Sequence, residues 1–118
     1  MKKIYYLPNC GTCKRIMSEL KLGEGDIKRD IKEKAIQPKE LDEMAKLSGS
    51  YEALFSRVAM KYRKMGLNNK KLTEKDYRSY ILQEYTFLKR PTVIVNDKIF
   101  IGSSKSNVSA LIAEYNKK

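Results

Sequence analysis

Two cysteines, Cys10 and Cys13, lie where an apolar run at residues 4–7 gives way to a segment with helical periodicity. They are the only cysteines in the chain. In the first turn of a helix, unpaired backbone N–H groups and the positive end of the helix dipole stabilise a thiolate. A lowered pKa makes a cysteine nucleophilic near neutral pH. The spacing therefore predicts redox chemistry in which Cys10 attacks and Cys13, one helical turn further on, resolves the adduct.

Other uses of the pair remain open from the sequence. Both thiols could be inert residues at a helix start, and Cys13 could simply be the first apolar position of the helix face. Structural zinc normally needs four ligands, and this chain has two cysteines and no histidine. A zinc site could therefore close only across a dimer or with carboxylates, and we expect neither a metal nor a bound cofactor.

The length and hydropathy of the chain favour one domain over residues 1–118. No basic N-terminus precedes a long apolar run, and no stretch is long and apolar enough to span a membrane. We therefore expect a cytoplasmic, soluble protein with no membrane partner. In a reducing compartment, two cysteines at this spacing are more often catalytic, redox-sensing or metal-binding than structural.

The charge is strongly basic, with 25 Lys and Arg against 14 Asp and Glu and a formal net charge of +11. A basic field attracts anions, which could be an oxyanion substrate, the carboxylates of glutathione, nucleic acid or an acidic protein. No interleaving of aromatic and basic residues and no helix-turn-helix pattern accompanies the lysines. We therefore expect no direct DNA binding, and most lysines are interpreted as solvated surface.

The first part of the chain reads as strand, helix, strand. Residues 2–7 predict a buried strand, residues 11–22 a helix and residues 26–31 a second strand. This β-α-β order predicts a parallel pair of strands.

The middle of the chain predicts helices. One helix begins at Pro38, and a second has apolar positions from Ala53 to Met65. A third follows a capping-box pattern that begins at Thr73. A hairpin at residues 92–101 and a closing helix complete the chain. The fold class is therefore predicted to be α/β, a thioredoxin-like sandwich with a mixed four-stranded sheet and a helical insertion at about residues 36–86.

Two arginines could add to the site. Arg90 precedes Pro91 at the start of a predicted strand, and its guanidinium could reach a thiolate or an oxyanion, or lie at the surface. Arg57 lies in an otherwise apolar stretch, where it could extend to solvent or point at an anion.

The ordered motifs resemble those of the ArsC-type arsenate reductases and of the related Spx-type regulators. Residues 6–15 resemble the active-site loop of these families, and residues 87–95 resemble their segment that ends in Arg-Pro and a strand. Residues 62–67 and 72–82 resemble the linker and helix before that segment, and residues 99–102 add a weaker match. The resemblance covers nearly the whole chain and implies a thioredoxin-like fold with an inserted helical block.

Carried over by position, the resemblance implies that Cys10 is the catalytic cysteine and Arg90 an anion-binding arginine. It implies that Pro91 is the cis-proline and makes Arg57 the best candidate for a second anion-binding arginine. The loop residues expected to bind substrate are Gly11 and Thr12.

The resemblance also implies a reaction and partners. An ArsC-type enzyme would act on a small oxyanion or a disulfide and take electrons from glutathione and glutaredoxin, or from thioredoxin. These enzymes commonly have serine at the position of Cys13, and they place a third arginine where this chain has residues 102–105, Gly-Ser-Ser-Lys. A complete cysteine pair instead resembles the Spx-type branch. In that branch the pair is a redox switch and the partner is RNA polymerase, which gives the alternative function.

Overall fold

The computed structural model describes residues 2–117, which form two compact units. One unit contains the residues up to Lys34 together with those from Arg90 onward, and the other contains residues 35–89. None of the helices within residues 2–117 has the length and apolar character needed to cross a membrane.

The first unit contains a mixed sheet. Its strands are β1 (Lys2–Tyr6), β2 (Ile27–Asp30), β3 (Thr92–Val95) and β4 (Lys98–Ile101). Their order is β2-β1-β3-β4; β1 is parallel to β2 and antiparallel to β3, and β3 is antiparallel to β4. The predicted parallel pair, hairpin and four-stranded mixed sheet are confirmed for the described residues.

Two helices pack on this sheet, α1 (Gly11–Ser18) and α5 (Lys105–Tyr115). Ile4 of β1 lies opposite Val93 of β3 in the strand register, so their side chains share one face of the sheet. The helices bury their apolar positions against that face, which closes the core of this unit. The buried residues of this core are Ile4, Ile16, Leu20, Val93, Val95, Leu111 and Tyr115.

Helix α1 ends four residues earlier than predicted. The periodicity continues to Leu20, which is buried, but the backbone turns away after Ser18. The Asn116 side chain accepts a hydrogen bond of 2.7 Å from the Lys21 N–H and donates one of 3.0 Å to the Glu19 carbonyl. These bonds to a residue at the far end of the chain take backbone groups that a longer helix would use, so the predicted end at residue 22 is wrong.

The second unit is mainly helical, with α2 (Pro38–Ser48), α3 (Met60–Lys64) and α4 (Glu74–Gln83). Pro38 stands at the first turn of α2, as predicted, and Gly49 ends the helix at a φ of 95°, which glycine adopts without strain. The predicted capping box at Thr73 is confirmed, because the Thr73 hydroxyl and the Asp76 carboxylate each accept a backbone N–H of the other residue.

The continuous helix predicted from Ala53 to Met65 is wrong. A 3₁₀ turn spans Glu52–Leu54, an extended stretch follows, and only the five residues of α3 are α-helical. Phe55 forms an isolated antiparallel bridge with Leu88 and packs its ring on Phe87, with ring centroids 5.0 Å apart. This pairing holds the backbone extended, and two of the residues assigned to the apolar face, Val58 and Met65, are exposed.

Candidate active site

Cys10 lies at the N-cap of α1, immediately after the turn that follows β1. Its backbone N–H donates to the Leu7 carbonyl at 3.1 Å. Its Sγ accepts the Cys13 N–H at 3.4 Å, so the sulfur itself caps the helix. Because a polar side chain at this position accepts otherwise unpaired N–H groups, a thiolate is stabilised here more than a neutral thiol. Cys10 is half-buried and both cysteines are free thiols.

The surroundings of Cys10 lower the pKa of its thiol. Partial burial raises the pKa, but several opposing effects outweigh it. These are hydrogen bonds from the backbone N–H and the thiol of Cys13, a hydrogen bond from the Thr12 N–H, and the positive charge of Arg90. The net pKa therefore lies below the usual cysteine value, as a nucleophile requires near neutral pH.

Cys13 has the opposite environment. Its side chain is fully buried, which raises the pKa of its thiol to about 11. A hydrogen bond from Leu7 lowers this pKa, whereas the hydrogen bond to Cys10 and the charge of the Cys10 thiolate raise it. The pair therefore contains one half-buried thiol with a lowered pKa and one buried thiol that stays protonated at neutral pH.

Arg90 and Pro91 belong to the same unit as the cysteines. The Arg90–Pro91 peptide bond is cis, and Pro91 is buried with its carbonyl accepting the Gly102 N–H at 2.9 Å. Arg90 is half-buried and close enough to both thiols for its charge to lower their pKa values. The structure therefore brings a cation to Cys10 from a distant part of the chain.

Gly11 and Thr12 form the start of α1 between the two thiols. A Cβ at Gly11 would meet no atom within 4 Å, so the backbone beside Cys10 is open. Lys14 and Arg15 follow and are exposed, and the first turn of α1 contains no acidic residue. An anion that approaches Cys10 thus meets no neighbouring carboxylate on this helix.

Arg57 lies in the other unit, where its guanidinium is bound to two side chains. Its Nη2 lies 2.6 Å from Glu52 Oε2 and 2.9 Å from the Tyr77 hydroxyl. The ring of Tyr77 also lies 5.6 Å from the guanidinium carbon. These contacts hold one end of the guanidinium, while the side chain is 45% exposed.

Leu7 is a residue of the site that sequence reasoning missed. Its carbonyl accepts the Cys10 N–H, and its backbone also hydrogen-bonds the Cys13 thiol. The end of the predicted first strand is the signal that could have identified it, because the last residues of that strand must lie against the start of the next helix. Within residues 2–117, no cluster of three or more His, Cys, Asp or Glu is placed to hold a metal ion.

Comparison with known proteins gives a family match and structural matches. Residues 5–111 match the model of the ArsC family. No curated protein matches the sequence. The structure is similar to that of the YffB (PA3664) protein, with 19% identity, a TM-score of 0.80 and coverage of 98% of this chain and 99% of that one.

Two further solved structures have slightly higher identity. A protein of Streptococcus mutans UA159, described as a possible arsenate reductase, is 25% identical, with a TM-score of 0.72 and coverage of 89% of this chain and 92% of that one. SACOL0876 of Staphylococcus aureus COL is 26% identical, with a TM-score of 0.75 and coverage of 93% and 97%. These matches confirm the predicted thioredoxin-like fold.

Proposed function

The chain belongs to the ArsC family, and from this membership we propose that it is a thiol oxidoreductase similar to the arsenate reductases, with Cys10 as its nucleophile. The observation that carries the proposal is the contrast between the two thiols. Cys10 is partly exposed with a lowered pKa, whereas Cys13 is buried with a raised one. This difference in exposure and pKa suits an attacking and a resolving thiol, because the accessible thiolate reacts with the substrate before the buried thiol does.

The proposed reaction uses both thiols for each oxyanion. The Cys10 thiolate attacks the arsenic of arsenate, a sulfur–arsenic bond forms and one oxygen leaves as water after protonation. Cys13 sulfur then attacks Cys10 sulfur and loses its proton. The sulfur–arsenic bond breaks with its electron pair remaining on arsenic, so arsenite leaves and a disulfide forms.

The charges around the pair support this order of steps. Arg90 would stabilise the negative oxyanion through charge-assisted hydrogen bonds. The charge of the Cys10 thiolate contributes to the raised pKa of Cys13. When the Cys10 sulfur bonds to the substrate it is no longer a thiolate, which removes one of the causes that raise the pKa of Cys13.

The disulfide must be reduced before the next turnover. A thiol donor of the reducing cytoplasm, either glutathione with glutaredoxin or thioredoxin, would exchange with it and leave both cysteines as thiols. A disulfide could replace the oxyanion as substrate in the same scheme, because thiol–disulfide exchange also begins with attack of a thiolate, here Cys10, on a disulfide sulfur.

The direct test is arsenate-dependent consumption of reductant. The purified protein is assayed with NADPH, a reductase and either glutathione plus glutaredoxin or thioredoxin. We expect turnover with arsenate, loss of turnover in Cys10→Ser, and a block after one adduct in Cys13→Ser. Ser109→Ala, an exposed substitution on α5, is the matched control and should not change the rate. Equal arsenate turnover by wild type and Cys10→Ser would contradict the proposal.

The second candidate function is a redox-sensing regulator that binds RNA polymerase. The observation that favours it is the complete cysteine pair, since Cys13 occupies a position where arsenate reductases of this family commonly have serine. We expect such a regulator to bind the α subunit of RNA polymerase with an affinity that changes when Cys10 and Cys13 form a disulfide. Absence of arsenate turnover with every donor, together with redox-dependent binding, would favour this function over the enzyme.

A further inference from the structure

The second unit exposes large apolar side chains on one short segment. Val58 is 92% exposed and Met60 is 88% exposed, and Met65 is 44% exposed. Isolated surface apolar residues are ordinary, but these three lie within eight positions of the chain, and Val58 and Met60 are almost fully exposed. We call this segment, residues 58–65, the Val58–Met65 patch.

The chain segment that contains the patch carries only positive charges. Residues 53–73 contain no Asp or Glu, and they contain six cations. Two of these are paired, Arg57 with Glu52 and Lys61 with Glu84. The other four have no ion pair within the described residues; they are Arg63, Lys64, Lys70 and Lys71.

We propose that the Val58–Met65 patch is a docking surface for an acidic protein whose contact region has an apolar centre and a rim of Asp and Glu. Val58 and Met60 would supply the apolar anchors, and Met side chains adapt to partners of different shape. Arg63 and Lys64 on α3 would face the acidic rim. Charge complementarity chiefly raises the association rate and selects the partner. The apolar contacts of Val58 and Met60 would then mainly determine the dissociation rate of the complex.

The chemistry of the patch disfavours two other occupants. A second copy of this chain would bring two acid-free basic segments together in a protein of formal charge +11, and like charges at an interface oppose association. A membrane-surface helix needs a long apolar face, and α3 has only five residues, none of them buried. The small apolar area fits a weak, transient protein partner.

The patch can be changed without disturbing the core. Val58 and Met60 are almost fully exposed, and the ring contact that this segment makes with buried Phe55 comes from Tyr62, at a centroid distance of 5.9 Å. Substitutions at residues 58 and 60 therefore test binding rather than folding. The proposal also stands apart from the redox chemistry, since it needs neither cysteine.

The test uses a fluorescein-labelled amphipathic peptide with Leu on one helical face and Glu on the other. Fluorescence anisotropy should report binding to wild type, weakened about tenfold in Val58→Ser/Met60→Ser. Arg63→Gln/Lys64→Gln should weaken binding at low salt and reduce its salt dependence. The matched control is Leu22→Ser, which removes a 39% exposed apolar side chain in the other unit and should leave the affinity unchanged.

Four results would overturn the proposal. The first is no binding of the Leu–Glu peptide to wild type. The second is equal binding of a peptide with Ser in place of every Leu, which would mean that charge alone acts. The third is tighter binding to phosphatidylserine vesicles than to the peptide, lost in Val58→Ser/Met60→Ser. The fourth is a wild-type dimer in sedimentation that becomes a monomer in the same variant.

Discussion

The Tyr115 hydroxyl donates a hydrogen bond of 2.5 Å to Asp26 Oδ2, although the two residues lie 89 positions apart. Tyr115 ends α5 and is fully buried. Lys2 Nζ donates to the Tyr115 carbonyl at 2.7 Å and lies 4.5 Å from the centre of its ring. These contacts join α5 to the start of β1 and to the turn before β2. Tyr115→Phe removes only the hydroxyl and keeps the buried ring.

The loss of stability in Tyr115→Phe depends on the environment of Asp26, the hydrogen-bond partner that remains. A hydrogen bond to a charged group contributes about 1.5–3 kcal/mol. Asp26 is partly exposed, and the same Oδ2 accepts the Gly23 N–H at 2.8 Å, so its carboxylate stays solvated and bonded in the variant. We therefore expect the lower end, a loss of about 1.5 kcal/mol of unfolding free energy. That loss corresponds to roughly 5 °C in Tm for a chain of this size.

The cost should also depend on pH. Burial raises the pKa of Asp26, but the hydrogen bonds from Tyr115 and Gly23 and the charges of Lys2 and Lys28 lower it, and the net pKa is below its usual value. The stabilisation is therefore complete above the unfolded-state pKa of about 3.9. It is lost as the pH falls through the lower folded-state pKa. The difference between wild type and Tyr115→Phe should shrink over the same acid range.

Urea unfolding at neutral and acid pH measures both effects. Tyr6→Phe is the matched control, because Tyr6 packs against the same core and its loss of a hydroxyl should cost less than about 0.5 kcal/mol. If Tyr115→Phe unfolds at the urea concentration of wild type, or if its deficit is as large in acid as at neutral pH, the reasoning is refuted.

Three further predictions concern the site, a helix cap and the exposed patch. Arg90→Gln should slow alkylation of Cys10 by iodoacetamide at neutral pH, because it removes a charge that lowers the pKa of the Cys10 thiol. The control Lys89→Gln should change the rate less. Equal slowing of alkylation in both variants would contradict a specific effect of Arg90 on Cys10. Thr73→Ala should lower the free energy of unfolding by about 1 kcal/mol through loss of the capping box, measured by urea titration. Val58→Ser should change it by less than about 0.5 kcal/mol, and a larger loss would show that the exposed side chain is packed.

The parts of the fold that local patterns determine were predictable. The hairpin was visible because Thr92–Val95 is an apolar β-branched run. Its turn contains Asn96 at a φ of 58°, a conformation that asparagine tolerates better than most residues. The capping box of α4 was also predictable from local sequence, since Thr73 and its partner Asp76 lie three residues apart.

The failures lie where distant residues override the local pattern. The apolar spacing from Ala53 to Met65 is compatible with a helix, yet the bridge from Phe55 to Leu88 holds part of it extended. Asn116 similarly ends α1 from the other end of the chain. Neither contact can be predicted from the local sequence. Periodicity alone also does not distinguish a buried apolar position from an exposed one.

The candidate site shows the same division. The spacing of Cys10 and Cys13 placed both at the start of a helix, where the structure has them. The contrast between the two thiol environments could not be predicted from the sequence, because it depends chiefly on the burial of Cys13 in the folded chain. Arg90 could be assigned to the site only through the resemblance to a family, since nothing local connects it to the cysteines.

The most direct test of the central claim is the rate of Cys10 alkylation by iodoacetamide as a function of pH, followed by mass spectrometry of the modified peptide. Cys13 is fully buried and its pKa is raised to about 11, so the reaction near neutral pH reports on Cys10 alone. We predict modification of Cys10 first, with an apparent pKa below the free-cysteine value of about 8.5. An apparent pKa at or above that value, or modification of Cys13 first, would contradict the assignment of Cys10 as the activated nucleophile.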